Sequence, residues 1–181
     1  MHYFPDPDSP EIEPFVRAFL RLMFAHAEFE ERVRDLQGII TGDWKFGERR
    51  KNQRVSARDR PEKMKKLIAK NAARLGETPE TDEIADALQR AIAHCNCRNL
   101  LAHGSWWRLD PAEQLITVRA GTDWPGEDQH KDLTAAEIEA AAMGLYEIEN
   151  RLCGLQKSIA GRLPPDPDAH AALSRLESDP S

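Results

Sequence analysis

Arg98 and His103 are the residues of this chain whose types and spacing best suit chemistry. The run Arg98-Asn99-Leu100-Leu101-Ala102-His103 sets a permanent guanidinium charge and, five positions on, an imidazole that titrates near neutral pH. A guanidinium binds phosphate oxygens through paired hydrogen bonds and an imidazole can move a proton, so the pair suits binding or cleaving a phosphodiester. His94, Asn96, Arg98 and Asn99 stand in a stretch from Ala91 to Ala102 whose other residues are all apolar. A helix that is apolar all round is a buried helix, and buried polar groups are costly unless paired. A paired network or a cleft is therefore expected at this place.

Helix geometry constrains how the two residues can cooperate. At about 100° per residue, Arg98 and His103 lie about 140° apart on an unbroken helix, whereas His94 and Arg98 share a face, as do Asn99 and His103. One helix does not aim Arg98 and His103 at a single point unless it loosens before Gly104 or a second subunit completes the site. Glu30, one turn after His26 on the first helix, is a candidate partner for Arg98 across the bundle, or else a boundary residue with a solvated head. The segment His94-Cys95-Asn96-Cys97 with His103 does not read as a zinc site, because Cys95 and Cys97 point about 200° apart on a helix. A bland reading also stands for the pair itself: His103 as a helix-ending histidine on last-turn carbonyls, and Arg98 as a structural arginine held by an acid of the first helix.

The elements that must position these residues are helical. Ser9-Pro10 reads as an N-cap followed by proline, after which Phe15, Phe19, Leu22, Met23, His26, Phe29, Val33 and Leu36 recur at steps of three and four, predicting a long first helix. Pro61 opens a short charged helix stopped by Gly76, and a third helix starting between Thr78 and Thr81 carries the polar cluster to Gly104. Trp106 to Leu109 and Leu115 to Val118 read as two strands of a small hairpin, at about 105–119, and Gly121 to Lys131 as a polar loop. Trp106 and Trp107 either stack on bases or roof the core, with core favoured for at least one. Thr134-Ala135-Ala136-Glu137 is a capping box, opening a last helix striped by Ile138, Ala141, Leu145, Ile148, Leu152, Leu155 and Ile159. The expected fold is all-α: an up-and-down four-helix bundle with a small β-hairpin inserted before the last long helix, forming one domain over 1–163, with 164–181 a mobile C-terminal tail.

Charge is uneven along the 181 residues. The net charge is −6, yet residues 45–74 hold twelve Lys or Arg against three acids, a local +9 that leaves −15 elsewhere. Arg49, Arg50, Lys51, Arg54 and Arg58 make this segment a candidate RNA-binding patch that tracks phosphates, the alternative being a solvated basic face. Three cysteines, Cys95, Cys97 and Cys153, do not form a disulfide framework, and no signal peptide or membrane span is legible, so a reduced, cytoplasmic protein without a membrane partner is expected. No glycine-rich phosphate loop, nucleophile elbow or His-Glu-x-x-His helix appears.

The Arg98 to His103 segment, with Gly104 after it and a penultimate long helix carrying it, resembles the signature of HEPN domains, small helical bundles many of which are metal-independent ribonucleases. The resemblance covers residues 9–163 in outline. It implies a homodimer whose two motifs meet across a two-fold cleft and cut RNA with no metal or cofactor. Arg98 would hold the scissile phosphate, His103 would transfer a proton to or from the ribose 2′-hydroxyl or the leaving oxygen, and Asn99 would orient one of them. Glu30, His94 and Ser105 would be supporting residues. Ser105 stands two positions after the histidine, where HEPN toxins paired with nucleotidyltransferases commonly carry a tyrosine, so regulation through that tyrosine is not expected here. The implied setting is a toxin–antitoxin or phage-defence effector, with an antitoxin or operon partner protein. The alternative is a non-catalytic helical module that binds RNA or protein.

Overall fold

A computed structural model describes residues 9–42, 57–110, 112–119 and 130–163. It is mainly helical, with a small antiparallel sheet: α1 (Glu13–Thr41), a 3-10 turn (Ala57–Asp59), α2 (Arg60–Lys70), α3 (Ala72–Leu75), α4 (Thr81–His103), β1 (Ser105–Asp110), β2 (Leu115–Arg119), β3 (His130–Thr134) and α5 (Ala135–Arg162). The segment 164–181 and the basic residues Arg49, Arg50, Lys51 and Arg54 lie outside the described residues.

Proline and a capping box mark the starts of three of the helices. α1 begins after Ile12 with Pro14 in its first turn, later than Ser9-Pro10 suggests, because residues 10–12 form a turn instead. Pro61 sits in the first turn of α2, where its missing N–H costs no helical hydrogen bond. At α5 the capping box forms as read: the Glu137 amide donates to Thr134 Oγ1 at 3.1 Å and the Thr134 amide to Glu137 Oε2 at 2.7 Å. The core is one cluster in which Phe29, Leu22 and Leu36 of α1 meet Ile84 and Leu88 of α4, Ile138, Leu145 and Leu152 of α5, and Ile116 and Leu133 of the sheet.

The helix directions correct the up-and-down expectation. Arg21 pairs with Glu139 and Arg32 with Glu149, so positions advance together along α1 and α5, and these two long helices run parallel. α4 runs against α5, since Glu80 meets Arg162 while His94 lies on Gly144. α2 starts beside Glu30 by way of Arg60, and Arg74 of α3 reaches the carbonyl oxygen of Ile39 near the end of α1, so α2 is also parallel to α1. Sequence periodicity sets which face of each helix is apolar and leaves helix direction open. Because α4 runs against α5 as in an up-and-down bundle, the departure enters between α1 and α2, which run in the same sense.

The sheet has three strands in the order β1-β2-β3 rather than the two of a hairpin. β3 lies partly in the stretch read as a polar loop, because only Leu133 of its five residues is buried and the charged residues around it mask the alternation. Ladder pairing with β2 holds it, helped by a 2.6 Å hydrogen bond from Thr117 Oγ1 to Asp132. Gly104 is needed where α4 meets the sheet: a Cβ there would lie 2.4 Å from the Leu100 carbonyl oxygen and 2.7 Å from Val118 Cγ1.

Candidate functional site

Arg98 comes to rest in a half-buried polar cluster between α1, α2 and α4. The apolar-all-round expectation for the end of α4 does not hold, because Ala93, Asn96 and His103 are exposed while His94, Cys97, Arg98 and Asn99 are half-buried. His26 and Glu30 stand one turn apart on α1, with His26 Nε2 3.4 Å from Glu30 Oε1. From α2, Arg60 Nη2 lies 2.5 Å from the same carboxylate oxygen, and its guanidinium stacks on the Phe29 ring at 5.8 Å. Cys95 of α4 is buried among these groups.

Glu30 thus engages Arg60 and His26, and no ion pair joins it to Arg98. Arg60 wins that place because it enters from the N-terminus of α2, directly beside α1. Arg98 Nη1 donates instead to Asn99 Oδ1 at 3.0 Å, a neutral acceptor, and Arg98 makes no ion pair among the described residues. Three buried side-chain atoms lack hydrogen-bond partners among the described residues, and all three are here: Glu30 Oε1, Arg60 Nη1 and Arg98 Nε. Glu30 Oε1 therefore sits close to its cations without hydrogen-bond alignment, and two buried N–H donors are left without an acceptor.

The electrostatics follow from two guanidinium groups against one carboxylate. The His26 pKa is lowered: burial disfavours its charged form most, Glu30 opposes this, and Arg98 and Arg60 lower it further. Burial pushes the Cys95 thiol up to about 11, with Arg60 and Arg98 pulling the other way, so Cys95 stays a protonated thiol. Among the described residues no group of three or more His, Cys, Asp and Glu side chains could hold a metal ion.

The other expected site residues fall elsewhere. α4 stays helical through His103, and the Gly104 amide donates to the Leu100 carbonyl at 2.7 Å, so the helix does not loosen and His103 points about 140° away from Arg98 into solvent. Ser105 is exposed at the start of β1. His94 faces α5 rather than Arg98: its ring lies where a Gly144 Cβ would be, on an open pocket of about 290 Å³ shared with Arg90, Glu147 and Arg151, and burial lowers its pKa against the pull of Glu147. Arg58 is exposed in the 3-10 turn, two residues before the cluster member Arg60. Trp106 belongs to the core roof, edge-on to Phe19 at 5.7 Å with its Nε1 donating to the Leu101 carbonyl, and Trp107 lies beneath Arg119 on the sheet.

Arg60 is the member of the cluster that the sequence reading missed. Its signal was its place just before Pro61 at a helix start, but which acid it meets depends on how α2 lies on α1. Along the outer face of α1, Val16, Leu20 and Phe24 form an exposed apolar stripe at four-residue steps, Phe24 being 66% exposed. No family model, curated protein or solved structure matches the chain.

Proposed function

We propose that this protein is a HEPN-like, metal-independent endoribonuclease that cleaves RNA through Arg98 and His103 at a cleft between two copies of the chain. The observation that carries the reading is the surplus cation of the Arg98 cluster. Arg60 and Arg98 face a single carboxylate, two of their buried N–H groups lack acceptors, and an anion with several oxygens would satisfy both charge and hydrogen bonding. A phosphodiester is such an anion, and Arg58 with the basic segment that precedes it would extend the contact along an RNA backbone.

Two copies are needed for a geometric reason. Within one chain His103 diverges from Arg98, so a second copy must present its own His103 if both motifs are to act on one linkage. The apolar stripe Val16, Leu20 and Phe24 lies on the outer face of α1, turned away from His26 and Glu30, and would offer a second copy an apolar seat on the same helix. The implied biology is that of a toxin or defence effector in the cytoplasm, with an antitoxin or operon partner. The same stripe also favours a second reading, a non-catalytic helical module whose outer face docks another protein.

The deciding experiment incubates purified protein with mixed RNA in the presence of chelator, alongside Arg98→Ala and His103→Ala forms whose folding is checked by circular dichroism. The reading expects cleavage by the unaltered protein and a loss of at least about 100-fold in each variant. Equal background cleavage in all three would leave the non-catalytic module standing.

A further inference from the structure

We infer that His26 is a second catalytic imidazole, placed by α1 at the phosphate that Arg98 would hold and paired electrostatically with Glu30. The inference rests on the ribonuclease reading and adds to it a residue outside the Arg98 to His103 motif.

Cleavage of RNA by its own 2′-hydroxyl needs two proton transfers at opposite ends of one phosphorus. The 2′-oxygen loses its proton as it forms a bond to phosphorus, and the 5′-oxygen gains one as its bond to phosphorus breaks; the products are a 2′,3′-cyclic phosphate and a 5′-hydroxyl. One imidazole cannot stand at both ends of an in-line displacement. His103 is exposed and diverges from Arg98, which suits it to the far end of the reaction in the facing copy. The near end, at Arg98, has its own imidazole in His26.

The geometry around His26 sets an imidazole beside a carboxylate. Its Nε2 lies 3.4 Å from Glu30 Oε1, near enough for the carboxylate to favour a proton on that nitrogen although the two are not aligned as a hydrogen bond, and a proton there leaves Nδ1 as the accepting nitrogen. Glu30 is braced in turn by Arg60, so the carboxylate is anchored from α2 while it faces the imidazole on α1. The charged and titratable groups that face His26 are Glu30 from its own helix, Arg60 from α2, and Arg98 and Cys95 from α4. With two cations close by and the ring largely buried, His26 is neutral at pH 7, the state from which a base must start. In the balanced step His26 Nδ1 takes the 2′-hydroxyl proton and ends as imidazolium. The facing copy's imidazolium at position 103 gives its proton to the 5′-oxygen and ends neutral, and solvent returns both to their starting states.

The test uses two RNA substrates, one with an ordinary linkage and one with a 5′-bridging sulfur, whose leaving thiolate needs no proton. On the ordinary linkage His26→Asn and His26→Gln, each checked for folding by thermal melting, are expected to lose about 100-fold in single-turnover rate. On the sulfur linkage His103→Ala is expected to recover activity, while the His26 variants stay impaired because the 2′-hydroxyl still has to lose its proton. Wild-type rates in both His26 variants, with Arg98→Ala and His103→Ala inactive, would overturn the inference and leave the ribonuclease reading intact. Rescue of the His26 variants by the sulfur linkage would also overturn it, since His26 would then serve the leaving group. Should Arg98→Ala, His103→Ala and the His26 variants all cleave like the unaltered protein, the ribonuclease reading itself falls, and this inference with it.

Discussion

Replacing Glu30 by Gln keeps the side chain's size and removes the carboxylate that holds Arg60 and His26 in place. At 2.5 Å the attraction between Arg60 and Glu30 is about 7 kcal/mol for an effective dielectric constant of about 20, before any cost of desolvation. The two side chains retain 16% and 30% of their exposure, so water both screens the pair and lowers the penalty for burying it. Removing one partner of a fully buried pair costs about 3–5 kcal/mol, and this partly hydrated pair should cost about 2–3 kcal/mol. The assay is urea unfolding at pH 7 for the unaltered protein, Glu30→Gln, Arg60→Gln and the double variant, followed by helical circular dichroism. The two single variants should each be destabilised, and the double variant should lose less than their sum, because Arg60 matters here chiefly as the counter-charge of Glu30. The His26 imidazole should also titrate lower in Glu30→Gln, since Glu30 is the group that favours its charged form. Unfolding free energies within about 0.5 kcal/mol of the unaltered protein, or strict additivity in the double variant, would refute the claim that this carboxylate organises the cluster.

At the opposite end of α4, the Arg162 guanidinium holds the buried Glu80 carboxyl down to about 2 from its ordinary 4.5, with Ser158 adding a hydrogen bond. A depressed carboxyl stabilises the fold above its unfolded value and loses that contribution as pH falls towards the folded one. Glu80→Gln should therefore cost about 1–3 kcal/mol at neutral pH, discounted for the exposure of Arg162, and its deficit should shrink between about pH 5 and pH 2; a deficit independent of pH over that range would count against the pairing. Gly144→Ala should lower the melting temperature, because its Cβ would meet the His94 ring at 2.4 Å, and adding His94→Ala should restore most of the loss of about 1–3 kcal/mol; no recovery would mean that the ring is not the obstacle. Leu20→Glu with Phe24→Glu, at exposed positions of α1, should leave thermal stability nearly unchanged and convert a dimer measured by light scattering into a monomer, whereas a variant that stays dimeric would place the seat elsewhere.

Much of this architecture is written in local signals, and the departures share a cause. The capping box at Thr134, Pro61 at the head of α2 and Gly104 at the end of α4 each act over a few residues, so their elements appear where the sequence puts them. The parallel course of α1 and α5 and the third strand depend on what lies across the fold. An apolar stripe has no arrowhead, and the ion pairs Arg21–Glu139 and Arg32–Glu149 show a direction that periodicity leaves open. β3 buries a single leucine and takes the rest of its stability from backbone pairing with β2, a contribution that side-chain pattern does not register.

The candidate site divides along the same line. Arg98 and its neighbours are conspicuous in sequence because polar groups interrupt an apolar run, and the structure places that interruption against two other helices. The identity of its counter-charge was open, since Glu30 can meet any cation that reaches the same face of α1. The competition goes to Arg60, and the outcome carries the chemistry: had Glu30 paired with Arg98, the cluster would be neutral around that residue and an anion would gain little there. With Glu30 held by Arg60 and His26, the Arg98 guanidinium has, among the described residues, a buried donor without an acceptor and no ion-pair partner. A folded protein can tolerate one such group at a modest cost in stability, and on the proposed function that cost would be recovered by a bound phosphate oxygen. On this argument the unaltered protein should be stabilised by phosphate or sulfate more than Arg98→Ala is. Equal stabilisation of the two by the anion, measured by thermal shift at constant ionic strength, would place the anion elsewhere and remove the basis for assigning the scissile phosphate to Arg98.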